Sequence, residues 1–158
     1  MSYTPSKAIL ERYADVLVNF ALGGGKGIKR GDVVRVTASE AARPLFVAIH
    51  VAIVKAGGHM ISDYHLDDDA GMQKMFYDMA ADHQIDFFPA KYMRGLVDQV
   101  DHSIFLISPT DPHALKDIHP RKLMRRGVAM KPYRDWRTDK EHKGKFTWTI
   151  ALYGPEAM

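Results

Sequence analysis

The spacing of apolar residues changes period several times along the chain, and each change marks a predicted element. Residues 7–22 carry Ile9, Leu10, Tyr13, Leu17 and Phe20 at the three-to-four spacing of one helical stripe. A glycine cluster, Gly23-Gly24-Gly25-Lys26-Gly27, ends that helix. Residues 32–37, centred on Val33-Val34-Arg35-Val36, read as a short strand. Pro44 suits the first position of the next helix, over residues 45–56. That helix is apolar nearly all round, which predicts burial on more than one side. Gly57 and Gly58 stop it, and residues 59–66 form a second strand.

Asp67-Asp68-Asp69 supplies a cap for a third helix, whose inner face is expected to be Met72, Met75, Phe76 and Met79. Pro89 opens a fourth helix with Tyr92, Met93, Leu96 and Val97 turned inward. Residues 103–108 hold the continuous apolar run Ile104-Phe105-Leu106-Ile107, which fits a strand covered on both faces. A loop over 109–119 leads to a basic helix opened by Pro120 and ended or kinked by Pro132. Finally Phe146, Trp148, Ile150 and Leu152 alternate with Thr147, Thr149 and Ala151, the pattern of a half-buried strand.

Strands alternating with helices predict an α/β fold: a mostly parallel four-stranded sheet with helices packed on its faces, a Rossmann-like three-layer arrangement. At 158 residues the chain is expected to form a single domain, 1–158. It ends shortly after the last predicted strand, which reads as a domain cut from a longer protein. Residues 23–29 and 137–145 are the two stretches expected to be flexible.

Composition narrows the chemistry. The chain has no cysteine, which excludes disulfides, thiolate metal sites and a thiol nucleophile. No stretch approaches the roughly 20 apolar residues of a membrane span, and the amino terminus carries no signal-peptide core. A soluble, cytoplasmic protein is therefore expected, with no membrane partner. The net charge is +3, and ten Lys or Arg fall between residues 121 and 145, opposed by Asp135, Asp139 and Glu141. Such a stretch is expected to be mainly a solvated helix face. Its second reading is a phosphate- or nucleic-acid-binding surface of a stand-alone module.

Candidate sites are few. The glycines at 23–27 follow a helix and precede a strand, and Lys26 is followed by Gly27, so the order needed for a phosphate loop is reversed. The turn after the first strand, Ala38-Ser39-Glu40-Ala41-Ala42-Arg43, lacks the dinucleotide fingerprint. His59, Asp63, His65 and Asp67 share one strand face, but extended geometry puts His59 about 13 Å from Asp63. Only Asp63, His65 and Asp67 could act together on one metal, and Asp67 also suits a cap. Strand-end and capping roles are the expected ones for all three. Ser39, Glu40, Ser108 and Asp111 fall at carboxyl ends of predicted strands, where open α/β sheets bind ligands, and are the candidates for a substrate cleft. His50 is expected to be a core or interface histidine. No Gly-x-Ser-x-Gly elbow and no His-Glu-x-x-His pair occurs.

Several segments taken in order point to a relative. Leu10 to Val18 leads through the glycine loop to Gly31-Asp32-Val33-Val34-Arg35-Val36. Glu40-Ala41-Ala42-Arg43-Pro44-Leu45 opens the apolar helix that ends Lys55-Ala56-Gly57-Gly58. Ser108-Pro109-Thr110-Asp111-Pro112 precedes Leu115, Asp117 and Pro120, and the last strand reads Phe146 to Tyr153. Together these resemble the N-terminal domain of the thermophilic-type metallo-aminopeptidases, the aminopeptidase T, aminopeptidase S and PepS group. The resemblance implies a cytoplasmic, homodimeric exopeptidase that releases N-terminal residues from peptides. It implies two divalent ions (zinc, cobalt, manganese or magnesium) that activate a water and polarise the scissile carbonyl. In such enzymes glutamates, histidines and an aspartate of a second, C-terminal domain hold the ions, and the N-terminal domain helps wall off the substrate cavity. None of those ligand motifs occurs in this chain, so no catalytic or metal residue is carried over, and the chain is expected to be inactive without the catalytic domain. Two departures from the family pattern are Gly154-Pro155-Glu156 after the last strand and a long 23–29 connector.

Overall fold

The computed structural model describes residues 5–67, 71–108 and 113–154. Four strands, β1 (Val33–Ser39), β2 (His59–His65), β3 (His102–Ile107) and β4 (Thr147–Leu152), form one sheet in the order β2-β1-β3-β4. Every pairing is parallel. The helices are α1 (Lys7–Val16), α2 (Arg43–Lys55), α3 (Met72–Met79), α4 (Asp82–Ile85), α5 (Ala90–Gln99), α6 (Pro120–Ala129) and α7 (Lys131–His142). The three-layer α/β architecture read from the sequence is the one observed.

The main core lies on one face of the sheet. Val34, Val36 and Ala38 of β1, Ile104 and Leu106 of β3, and Ala151 of β4 meet Leu10 and Ala14 of α1 and Leu45, Ile49 and Ile53 of α2. Leu45, Ile49 and Ile53 recur at helical spacing and are fully buried. Gly57 ends α2 because it takes the left-handed φ of 80°. Its N–H reaches Val54 O at 3.0 Å, and Gly58 N–H reaches Ile53 O at 3.0 Å. That pair of bonds satisfies carbonyls which the end of the helix would leave unpaired. The opposite face of the sheet carries a smaller cluster, Leu96, Val100 and Phe146 against Val33 and Ile61.

Several predicted inner faces point outward. Ile9 and Phe20 are exposed, and the buried stripe is Leu10, Ala14, Leu17 and Val18. The cause is a π-helical turn over Leu17–Ala21, which inserts an extra residue and rotates Phe20 away from the core. Helix α2 is buried on one side only, since Val47, His50, Val51 and Val54 are exposed. Met72, Met75, Phe76 and Met79 are all exposed, because α3 buries no residue at all. On α5, Leu96 and Val97 are buried as expected, and Tyr92 is exposed. The N-cap of α3 is Gly71; Asp68 and Asp69 lie outside the described residues.

Strand β4 is reversed relative to expectation. Its small residues, Thr147, Thr149 and Ala151, face the main core, and Trp148, Ile150 and Leu152 face out. The chain around α1 approaches β4 too closely for large side chains: Thr147 Oγ1 accepts from Gly23 N–H at 2.9 Å, and Tyr13 OH donates to Leu152 O at 3.3 Å. The basic segment forms two helices, with Pro132 in the first turn of the second. Residues 137–142, expected to be flexible, are the second half of α7. No helix among the described residues is long and apolar enough to cross a membrane.

Candidate functional site

Period-two alternation sends Arg35, Thr37 and Ser39 of β1 to the face opposite the main core. The parallel register aligns them with Ile61, Asp63 and His65 of β2. Helices α5 and α7 cover only the amino half of that face. Over the carboxyl half the sheet is open. Ile107 is 47% exposed, Ile150 51% and Leu152 49%, although all three are large apolar side chains within a sheet. The open half is therefore apolar along β3 and β4 and polar along β1 and β2.

The polar strip is organised around Asp63. Arg35 Nη2 donates to Asp63 Oδ2, and Thr37 Oγ1 donates to the same oxygen at 3.1 Å. His65 Nε2 lies 3.0 Å from Asp63 Oδ1. Arg35 Nη1 donates to Tyr133 OH on α7 at 2.7 Å. The strip thus ties β1, β2 and α7 together at the border between the covered and open halves. Arg35 and Asp63 are both mostly buried, and hydrogen bonds to a charged partner contribute about 1.5–3 kcal/mol each. Arg35→Met should therefore lower the unfolding free energy by about 2 kcal/mol in urea titration. An unchanged midpoint would show the pair to be stability-neutral.

The sequence candidates separate. Asp63 and His65 do meet. Asp67 instead accepts from Ala41 N–H at 3.4 Å, at the turn that leads into α2. Ser39 and Ser108 each place a buried hydroxyl without a hydrogen-bond partner at the carboxyl edge. Strand alternation, continued past Ile107, sends the two to opposite faces, so they do not converge on one cleft. Glu40 is exposed. Asp111 lies outside the described residues. Arg35 and Tyr133 were not among the candidates. A lone arginine inside the apolar run Val33–Val36 was the available signal, since a charge in mid-strand needs a partner.

A divalent ion does not fit these donors. Both oxygens of Asp63 are already engaged, and the Arg35 guanidinium sits against one of them. Among the described residues no group of three or more His, Cys, Asp or Glu could hold a metal.

The opposite, amino edge carries a groove of about 380 Å³. Within it, His102 Nε2 lies 2.9 Å from Asp32 Oδ2 and Nδ1 lies 2.7 Å from Thr147 Oγ1. Asp32 Oδ2 also accepts from Lys29 N–H at 2.7 Å. Burial opposes the ionisation of Asp32, but the Lys29 N–H and His102 outweigh it and hold the carboxyl below its ordinary range. The Asp-His-Thr order resembles a nucleophile relay. Thr147 Oγ1, however, already accepts from Gly23 N–H, and the whole set joins the starts of β1, β3 and β4. Its role is to stitch that edge. No sequence motif marks His102, which stands two residues before the apolar run of β3.

The basic stretch spends its charge within the chain. Arg125 pairs with Asp82 at 3.1 Å and Asp86 at 2.6 Å, and Arg121 with Asp82 at 3.1 Å. Arg126 donates to Phe87 O at 2.6 Å, and Lys122 donates to Tyr77 O. These contacts dock α6 onto α4 and the end of α3.

Fold and site together define a parallel α/β architecture with one half-open sheet face. Residues 6–158 match the family described as thermophilic metalloprotease (M29), and the chain belongs to that family. Among solved structures it is similar to wild-type AmpT from Thermus thermophilus, with 18% identity and a TM-score of 0.74. That alignment covers 93% of this chain and 36% of the AmpT chain, so the chain spans little more than a third of that relative. No curated protein matches the sequence.

Proposed function

We propose that these residues are the N-terminal, non-metal domain of a two-metal aminopeptidase, which releases N-terminal residues from peptides. The paired ions belong to a second, C-terminal domain, and the half-open sheet face is the wall that this chain contributes to the substrate chamber. The observation that carries the reading is the family match over residues 6–158, joined to an alignment that covers only 36% of the AmpT chain. The open face supports it. A sheet that exposes Ile107, Ile150 and Leu152 side by side is built to be covered. A cytoplasmic homodimer acting on peptides belongs to the same proposal. The alternative, a nucleic-acid module, draws less support because most of the cations it would use already have partners in the chain.

The test is an assay of the 158-residue chain on aminoacyl anilides and short peptides with cobalt, zinc, manganese or magnesium added. The expected rate equals that of the metal alone. Saturable, metal-dependent turnover by the purified chain would overturn the proposal.

A further inference from the structure

The sheet has two edges, β2 and β4, and they differ. Strand β2 carries His59, Asp63 and His65, and charged side chains on an edge guard it against the addition of another strand. Strand β4 has no such guard. Residues 147–152, Thr-Trp-Thr-Ile-Ala-Leu, include no charge and no proline, and six consecutive pairs with β3 leave no bulge.

The ladder fixes where the backbone groups of β4 point. Thr147 N–H donates to Asp101 O at 3.2 Å, and Tyr153 N–H donates to Ile107 O at 3.0 Å. The odd-numbered residues therefore turn their N–H and C=O groups toward β3, and the even-numbered ones turn theirs away from the sheet. Leu152 O follows the rule: it accepts from Tyr13 OH of α1 at 3.3 Å. Trp148 and Ile150 have no such backbone partner among the described residues. Two N–H and two C=O groups thus stand free at the middle of the edge.

We propose that this edge pairs with β4 of a second copy of the chain, antiparallel about a two-fold axis at Thr149, and so joins two four-stranded sheets into one. The free groups are self-complementary. With Thr149 opposite Thr149, Trp148 of one copy stands opposite Ile150 of the other, and such a pair exchanges both N–H···O=C bonds. The symmetry repeats the exchange, so every free group of Trp148 and Ile150 in both copies finds a partner. The side chains agree with this register. Trp148 beside Ile150 sets an aromatic ring on a β-branched residue, and Thr149 beside Thr149 pairs two hydroxyls, both favourable cross-strand neighbours. Charge favours the same occupant. The edge is uncharged, so two copies bring no like charges together, and nothing along it selects a charged partner. A contact of six residues a side buries less than the roughly 800 Å² per partner of a standard interface, so the dimer is weak and exchanging. The contact assigns a surface to the homodimer of the proposed function. Its test reads association and not turnover, so either reading can fail without the other.

Sedimentation equilibrium should show the mean mass rising from one copy toward two between about 10 μM and 1 mM. Ile150→Pro removes an N–H that serves no bond within the chain, and should move that rise to at least about tenfold higher concentration. Because proline also restricts the strand backbone, Thr149→Cys supplies a second readout, in a chain with no other cysteine. Across the axis the two Cα atoms would lie about 4.5 Å apart, within reach of a disulfide, so mild oxidation should link the copies. Thr147→Cys is the control: its counterpart would lie about 13 Å along the strand, and it should stay unlinked. A single-copy mass at the highest concentration, an unaltered rise in Ile150→Pro, or linking of Thr149→Cys no faster than of Thr147→Cys would each overturn the proposal.

Discussion

Gly27→Ala should lower the unfolding free energy by about 3–5 kcal/mol, the sum of backbone strain and a steric clash. Gly27 has φ of 75°, a region that L side chains rarely adopt. An added Cβ would also sit 2.5 Å from the carbonyl oxygen of Asn19 and 2.6 Å from its Cα. Those atoms belong to the π-helical turn and cannot rotate aside. Gly27 N–H to Leu22 O at 2.9 Å and Ile28 N–H to Val18 O at 3.1 Å hold the two segments together. Gly24 is the internal control. Its φ is 65°, yet nothing lies within 4 Å of an added Cβ, so Gly24→Ala should cost only the conformational part, about 1–2 kcal/mol. Urea titration of the two variants measures the difference. Equal losses would mean that the close approach of Gly27 to Asn19 does not constrain the fold.

His102→Ala should cost about 3 kcal/mol at neutral pH, through a lost ring in a buried site and an orphaned partner on each side. His102→Gln should recover part of that by restoring one bond. The loss should also depend on pH. Asp32 has a folded pKa below its ordinary 3.8. A carboxyl depressed in this way contributes stability that is fully present above the unfolded value. The contribution is lost as pH falls through the folded one. The gap between the parent chain and His102→Ala should therefore narrow as pH drops below about 4. A gap of constant size down to pH 2 would show that His102 contributes packing and not the charged contact.

The sequence was most legible where one local signal sufficed. All four strands stand where the apolar runs placed them. Pro44, Pro120 and Pro132 sit in first helical turns, and Gly57 closes α2. Burial was less legible, because periodicity tells which residues share a face and not whether anything covers it. Met72, Met75 and Met79 share a face, yet all three are exposed. In β4 the larger side chains were read as inward. The Gly23 backbone and the Tyr13 side chain, both close to β4, reserve the inner side for Thr147, Thr149 and Ala151. The four-residue helix α4, whose Ile85 is fully buried, was too short to give a period. For the site, period two brought Asp63 and His65 together correctly. Arg35 and Tyr133 are 98 positions apart, and only the docking of α7 joins them.

The strand order also governs how the chain can reach this structure. In the order β2-β1-β3-β4, β1 borders both β2 and β3, and β4 borders β3 alone. Each parallel pairing needs its crossover segment closed first, so the sheet is assembled from non-local steps that slow the search. The β1-α2-β2 unit has the shortest of these closures and can form early. Strand β3 then adds to β1 after the much longer excursion through α3, α4 and α5. Strand β4 has no edge to join until β3 is in place, so it is the last to add, and its outward apolar side chains are still exposed once it has.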